Sequence, residues 1–311
     1  MKPLRFVPPD TNVPFIAYRK VAYVVSGALV LISIVVTLTV GLNFGIDFRG
    51  GTLIEIQSKT GPADPGQLRS VLGGLGLGDV EIQEFGAPTD VLIRIEQQPG
   101  GDEVQQQVIA RVKEAIGTSV EYRRVEIVGP KVSSELITSG AIAVVIAVVA
   151  VLVYIWFRFE WQFGVGAVVA LVHDVTITIG MFSVLQLGFT LSIIAALLTI
   201  VGYSLNDTVV VYDRVREELR RYKAMPLSEL LNLSINRTLS RTTMTSFTTL
   251  LALFALYIFG GEVIRDFTFA MIWGIVIGTY SSIFIAAPLL ILLDVKRDWS
   301  KAAAAGGAKA G

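Results

Sequence analysis

Five stretches of this chain contain no Asp, Glu, Lys or Arg: residues 21–46, 136–157, 175–206, 242–261 and 267–293. Each is long enough for at least one helix of about 20 residues, the length that crosses the ~30 Å hydrocarbon core of a bilayer. The stretch 175–206 is too long for one helix, and Gln186-Leu187-Gly188 supplies a polar, helix-breaking point inside it. Six spans follow: 21–41, 136–157, 163–185, 190–212, 242–260 and 267–293. The composition agrees, at 53% hydrophobic and 17% charged, against about 25% charged for a soluble domain.

Orientation is read from Lys and Arg in the short loops. The N-terminal tail 1–20 carries Lys2, Arg5, Arg19 and Lys20, and the loop after the second span carries Arg158. The segment 213–241 carries Arg214, Arg216, Arg220, Arg221, Lys223 and Arg237, and the tail 294–311 carries Lys296, Arg297 and Lys301. The other side has no Lys or Arg at 186–189 and only Arg265 at 260–267. Both termini and the 213–241 loop are therefore expected in the cytoplasm, with residues 44–131 on the extracytoplasmic side. The first span is too long for a signal peptide and meets no A-x-A-like site, so it is read as a retained anchor. The Ala/Gly-rich tail 294–311 is expected to be disordered, and Ser228–Leu239 to form an amphipathic helix on the membrane surface.

Residues 44–131 carry the pattern of a small α+β domain. Thr52–Gln57, Val80–Phe85, Val91–Glu96 and Val120–Val128 read as strands, being β-rich runs bounded by turn residues. Pro65–Leu72 reads as a helix begun by Asp64, and Glu103–Ile116 has apolar residues at helical spacing. The order β-α-β-β-α-β is the ferredoxin-like pattern. The fold class is thus an α-helical membrane protein of six transmembrane helices, with a ferredoxin-like domain between the first two. That domain shows no catalytic constellation, and a sheet of this kind more often serves as a binding surface.

Asp207 sits within the fourth span, where an ionisable side chain costs several kcal/mol and marks a functional site by default. Arg241 opens the fifth span. Each lies ~27 Å of helix from the far end of its own span, so the two are expected at one depth, as a switchable ion pair. The proton affinity of such an acid depends on its burial and on its distance from the guanidinium. The bland alternative is a static pair. Asp174 lies near the middle of the third span, beside His173, the single histidine. Imidazole suits a proton relay, whereas the plain reading is a hydrogen bond between helices. Adjacent residues on a helix are not expected to share a face, so one of the two should bond a neighbouring Thr176 or Thr178. Asn206 is a candidate for an interhelical hydrogen bond. Asp213, at the end of the fourth span, is more simply a structural cap than a relay. Asp47, Arg49, Gly50 and Gly51 form a motif expected to make the tight exit from the first span, its glycines permitting the turn, with a coupling role as the alternative.

The chain has no cysteine, which excludes disulfides and thiol chemistry. It carries no His-Glu-x-x-His and no phosphate-binding loop. Tyr212-Asp213 matches half of an intramembrane aspartyl protease site, without the second half. The chain is accordingly read as no enzyme and as needing no cofactor or metal, its energy coming from an ion gradient. With a net charge of zero, nothing points to nucleic acid as a partner.

Several motifs resemble the SecD/SecF family, a branch of the resistance–nodulation–division superfamily. They are Gly45-Ile-Asp-Phe-Arg-Gly-Gly51, Val128-Gly-Pro-Lys-Val-Ser133, His173-Asp174, Val201 to Glu217 and Asn236-Arg-Thr-Leu-Ser-Arg-Thr242. The resemblance covers about residues 15–295. It implies a multi-pass protein of the bacterial cytoplasmic (inner) membrane, paired with a SecD-like subunit. It also implies proton-driven help to polypeptides leaving the SecYEG channel, with membrane lipid and the exported unfolded chain as further partners. Asp207 and Arg241 match the family's membrane acid and arginine. A small-molecule or lipid exporter of the same superfamily is the competing reading.

Overall fold

A computed structural model describes residues 8, 11–261 and 264–295. Most of the predicted tail, 296–311, and residues 1–7 and 9–10 lie outside the described residues. A short 3₁₀ turn, Phe15–Tyr18, leads into α1 (Arg19–Thr39). The strand β1 (Asn43–Phe44) and the one-turn helix α2 (Ile46–Arg49) follow. The α+β domain then runs β2 (Gly51–Ser58), α3 (Pro65–Gly73), β3 (Val80–Phe85), β4 (Ala87–Ile95), α4 (Asp102–Ile116) and β5 (Val120–Val128). The remaining long helices are α5 (Pro130–Arg158), α6 (Trp161–Leu185), α7 (Leu191–Arg221), α8 (Leu227–Phe259) and α9 (Arg265–Ser281). Two residues between α6 and α7 form β6 (Gly188–Phe189), and α9 continues through a π-helical turn, Ser282–Ala286, into α10 (Ala287–Leu292). Among the described residues, six helices are long and apolar enough to cross a membrane.

Local chemistry accounts for the boundaries. Asp64 caps α3 by accepting from the N–H groups of Gly66 and Gln67 at 2.8 and 3.1 Å, with Pro65 at the first helical position. Gln186 ends α6 in a left-handed conformation, φ +51°. Beyond it Gly188 and Phe189 pair in parallel with Asn43 and Phe44. Pro288 has no N–H to offer the carbonyl of Phe284, and the π turn lies directly before it.

The sheet order is β3-β4-β2-β5, all antiparallel, the arrangement that β-α-β-β-α-β connections give when each helix crosses over one strand. Ile54, Ile56, Ile93 and Ile95 of the sheet pack with Leu72 of α3 and Val108 and Val112 of α4. Each fully buried aliphatic side chain of this core contributes ~1.5–3 kcal/mol.

Within the bundle α9 packs on α6, α7 and α8, and α1 packs on α6. Glycines bring the backbones together, as in other membrane bundles. A Cβ on Gly274 would strike Ile200, and one on Gly180 would strike Ser33 of α1. By contrast, the outer faces of α1, α5 and α8 are largely exposed and apolar.

Two expectations need correction. The segment 213–241 is not an open loop: α7 runs to Arg221, and α8 starts at Leu227. Ser228–Leu239 is therefore no separate surface helix. No Gly or Pro interrupts 227–259, so the helix continues unbroken, and its Leu230, Leu231 and Ile235 bury against Val215 and Leu219 of α7. The chain from Asn12 to Ile16 lies along this extension, held by Asn236, which accepts from Val13 N at 2.8 Å and donates to Val13 O at 2.9 Å.

Candidate functional site: a polar hub in the helix bundle

Successive residues of a helix are 100° apart, so four in a row sweep most of its circumference. Thr279, Tyr280, Ser281 and Ser282 use that sweep to reach four different helices. Thr279 Oγ1 meets Ser246 Oγ of α8 at 2.7 Å, and Tyr280 Oη meets Ser26 Oγ of α1 at 3.0 Å. Ser281 Oγ donates to Asp174 Oδ2 of α6 at 2.7 Å. Ser282 Oγ donates to Asp207 Oδ2 of α7 at 2.5 Å. The π turn begins at Ser282, and such bulges occur frequently at functional sites. Two carboxylates on different helices are thus joined by two adjacent hydroxyls on a third.

Asp174 is 1% exposed and also accepts from Ser204 Oγ of α7 at 2.6 Å. His173 Nδ1 lies 2.8 Å from Asp174 Oδ1. The expectation that these neighbours would part to different faces is overturned, because both are buried and the imidazole folds back onto the carboxyl. Thr178 donates instead to the backbone carbonyl of Asp174, at 2.7 Å. His173 Nε2 is buried without a partner among the described residues. The ring stacks on Tyr280, centroids 6.1 Å apart.

Asp207 is 6% exposed. The expected direct pair with Arg241 is not closed, and no salt bridge joins them among the described residues. The cause is helical phase. α8 turns Thr238, Thr242 and Ser246, spaced by four, toward the bundle, and Arg241 is one step off that stripe and exposed. Its charge remains within electrostatic reach of the carboxyl. Thr242 is buried beside the same carboxyl, and its hydroxyl has no hydrogen-bond partner among the described residues.

The other candidates lie elsewhere. Asn206 is exposed on α7 and makes no side-chain hydrogen bond within the described residues. Asp213 holds Arg158 at the end of α5 through both carboxylate oxygens, at 2.5 and 2.6 Å. Sequence reasoning missed Ser204, Thr242 and the Thr279–Ser282 run; four polar residues in succession inside an otherwise apolar stretch were the available signal.

At the opposite end of α7 the glycine motif does more than turn the chain. Gly50 and Gly51 have φ of +71° and +114°, and a Cβ on Gly51 would strike the carbonyl of Ile95. Asp47 Oδ2 accepts from Leu191 N at 2.9 Å, at the first turn of α7. The main-chain carbonyl of Asp47 accepts from Ser133 Oγ of α5 at 2.9 Å. Arg49 points to the sheet, 3.4 Å from Glu81. One short motif therefore links the α+β domain to the starts of α5 and α7, and α7 carries Asp207.

The profile of the C-terminal part of SecD/SecF protein export membrane proteins matches residues 108–296, and that of the SecD/SecF GG motif matches residues 35–61. The protein translocase subunit SecF of Cereibacter sphaeroides is 49% identical over 307 residues, covering 96% of this chain and 94% of that protein. The SecF of Magnetococcus marinus is 52% identical over 289 residues, covering 91% and 93%. Among solved structures, SecDF of Thermus thermophilus, a translocon-associated membrane protein, superposes with a TM-score of 0.83 at 36% identity. That match covers 94% of this chain and 40% of the SecDF chain. A second SecDF structure, in its super-membrane-facing form, gives 0.69 at 34% identity and covers 42% of that chain.

Proposed function

Since the chain belongs to the SecD/SecF family and matches SecF members along nearly its whole length, we propose that it uses the proton-motive force to help polypeptides across the cytoplasmic membrane. It does so as one half of an assembly with a SecD-like subunit, beside the SecYEG channel. The observation that carries this reading is the hub. Asp174 and Asp207 are buried carboxylates bridged by Ser281 and Ser282, and buried intramembrane acids are retained for ion or proton traffic.

A proton on Asp207 cancels its charge and its attraction for Arg241. Ser282 can then accept from the acid where it formerly donated. Because Ser281 and Ser282 are neighbours on a π turn, a change at one carboxylate is felt at the other. The exposed faces bearing Arg241 and Asn206 suit contact with a second six-helix half, and the solved SecDF chains are more than twice the length this chain covers. The route to the α+β domain is α7 itself, pinned at its first turn by Asp47. That domain would contact the exported chain through its sheet, by strand-edge pairing that reads no sequence.

The test is export of a model precursor into vesicles holding this chain, its SecD-like partner and SecYEG. Asp207→Asn keeps the shape and removes the titratable site, and should abolish stimulation by a proton gradient while assembly persists. Arg241→Met should do the same. Full stimulation by Asp207→Asn would refute the proton-carrier role.

A further inference from the structure

We infer that the bundle end formed by the α5–α6 turn and the last turns of α7 is a binding site for an anionic phospholipid. Arg158, Arg216, Arg220 and Arg221 line an open cleft of about 610 Å³ together with Asp213 and Glu217. Four guanidiniums against Asp213, Glu217 and the adjacent Glu160, which acts on Arg216, leave an excess of one positive charge. Asp213 is committed to Arg158, and Glu217 to Arg214, which lies outside the cleft. The guanidiniums of Arg158 and Arg216 stand 5.0 and 5.5 Å from the centroid of one ring, Phe159. Arg158 and Arg220 act electrostatically on Arg216, opposed more weakly by Glu160 and Asp213. Like charges gathered in this way are stabilised by an anion between them.

A second feature says what kind of anion. Phe159 also lines an apolar groove between α5 and α6, about 280 Å³ in volume, with Leu152, Trp156, Gly164 and Val168. Gly164 keeps it narrow but open, since a Cβ there would come within 3.2 Å of Ile155 Cγ2. Phe159 therefore stands between the two, with Arg158 and Arg216 of the cleft over its ring and its side chain in the lining of the groove, whose edge also carries Glu160. Trp156, Phe157 and Trp161 surround the junction and are 77%, 83% and 63% exposed. Exposed aromatic residues at a helix end mark the headgroup layer, and basic pockets between helices at that level hold anionic headgroups. A phosphodiester in the cleft with an acyl chain in the groove satisfies both surfaces; free phosphate satisfies only the first. The occupant would fasten the end of α5 to α7, the helix that bears Asp207, across the Arg158–Asp213 pair.

The four tryptophans of the chain give a direct readout. In a Trp273→Phe, Trp299→Phe background, emission comes from Trp156 and Trp161 at the junction. Dioleoylphosphatidylglycerol with brominated chains is added to the purified full chain in detergent containing phosphatidylcholine. The expected result is saturable quenching, displaced by unbrominated phosphatidylglycerol and not by millimolar inorganic phosphate. Arg220→Gln with Arg221→Gln, both exposed positions, should raise the half-saturating concentration roughly thirtyfold. Lys131→Gln, an exposed cation at the other end of α5, should leave it unchanged. Equal quenching by brominated phosphatidylcholine, or an unaltered curve for the double variant, would overturn the site. Displacement by inorganic phosphate would reassign the cleft to a free anion. Loss of quenching on assembly with the SecD-like subunit would make it a protein contact instead.

Discussion

The bond from Asp47 to the first turn of α7 provides the sharpest test of how the α+β domain is tied to the bundle. The first N–H groups of a helix have no partner within it. Thr190, at the cap position of α7, makes no side-chain capping bond, and its hydroxyl turns to Ser192 at 3.1 Å. The cap comes instead from Asp47, 144 residues earlier, accepting from Leu191 N at 2.9 Å. Loss of a capping side chain costs about 1 kcal/mol, and loss of a negative charge at a helix N-terminus a further ~0.3–1 kcal/mol. Asp47→Ala should therefore lower the local opening energy of this turn by about 1–2 kcal/mol, a 5- to 30-fold faster amide exchange at Leu191. Asp47→Asn keeps an acceptor and loses only the charge, so its exchange should rise no more than about fivefold. The assay is hydrogen–deuterium exchange of a peptide covering the α6–α7 connection, with the α9 peptide as internal reference. Proton-stimulated export should fall in parallel, in the order Ala below Asn below wild type. Wild-type exchange in Asp47→Ala would show that the bond does not hold the helix. Normal export despite faster exchange would show that the tie plays no part in coupling.

Three further outcomes follow from the packing and the electrostatics. Gly180→Val places side-chain atoms on Ser33 of α1 and should destabilise the bundle by about 1–3 kcal/mol, read as a lowered thermal midpoint in detergent; an unchanged midpoint would mean that α1 is not packed on α6 as described. Glu218 is fully buried between Arg214 and Arg237, which are 27% and 33% exposed. Glu218→Ala should cost about 2–3 kcal/mol, toward the low end for a broken buried pair because water screens both arginines, and proteolysis between α7 and α8 should speed up if it does. Burial pushes the Tyr122 phenol above its ordinary 10.0. The folded α+β domain then holds that proton more tightly than the unfolded chain, so its stability is full below pH 10 and falls as pH rises through the folded value. Tyr122→Phe should flatten this alkaline slope, and an unchanged slope would mean that the ring is solvated.

The helices were legible because charge-free runs of membrane length leave the backbone little alternative. The α+β domain was legible because strand alternation, Asp64-Pro65 and the glycine turns all agree with one topology. Boundaries failed where the sequence offers no punctuation. Nothing between Leu227 and Phe259 breaks a helix, so a polar stretch assigned to the surface is the first part of a 33-residue helix. Its Asn232 and Asn236 face a segment more than 200 residues away, a contact that periodicity cannot reveal.

The site was legible in its acids and obscure in its hydroxyls, for a physical reason. A carboxylate in an apolar run is costly wherever it points, so Asp174 and Asp207 announce themselves. A serine or threonine in a helix can satisfy its hydroxyl on the carbonyl one turn back, as Thr199, Thr245 and Thr248 do here. Only tertiary geometry tells those residues from Ser204, Ser281 and Ser282. Helical phase decided the arginine in the same way. Counting rise per residue set Arg241 level with Asp207, whereas rotation by one residue sent Thr242 inward and Arg241 outward. An arginine on that outward face could close onto Asp207 by a change of its long side chain's rotamer or by a turn of α8 about its axis. Rotation of α8 against α7 is one motion that proton binding at Asp207 could govern. The hydroxyl seam of Thr242 and Ser246, with its weaker neutral contacts, is the surface along which α8 would slip.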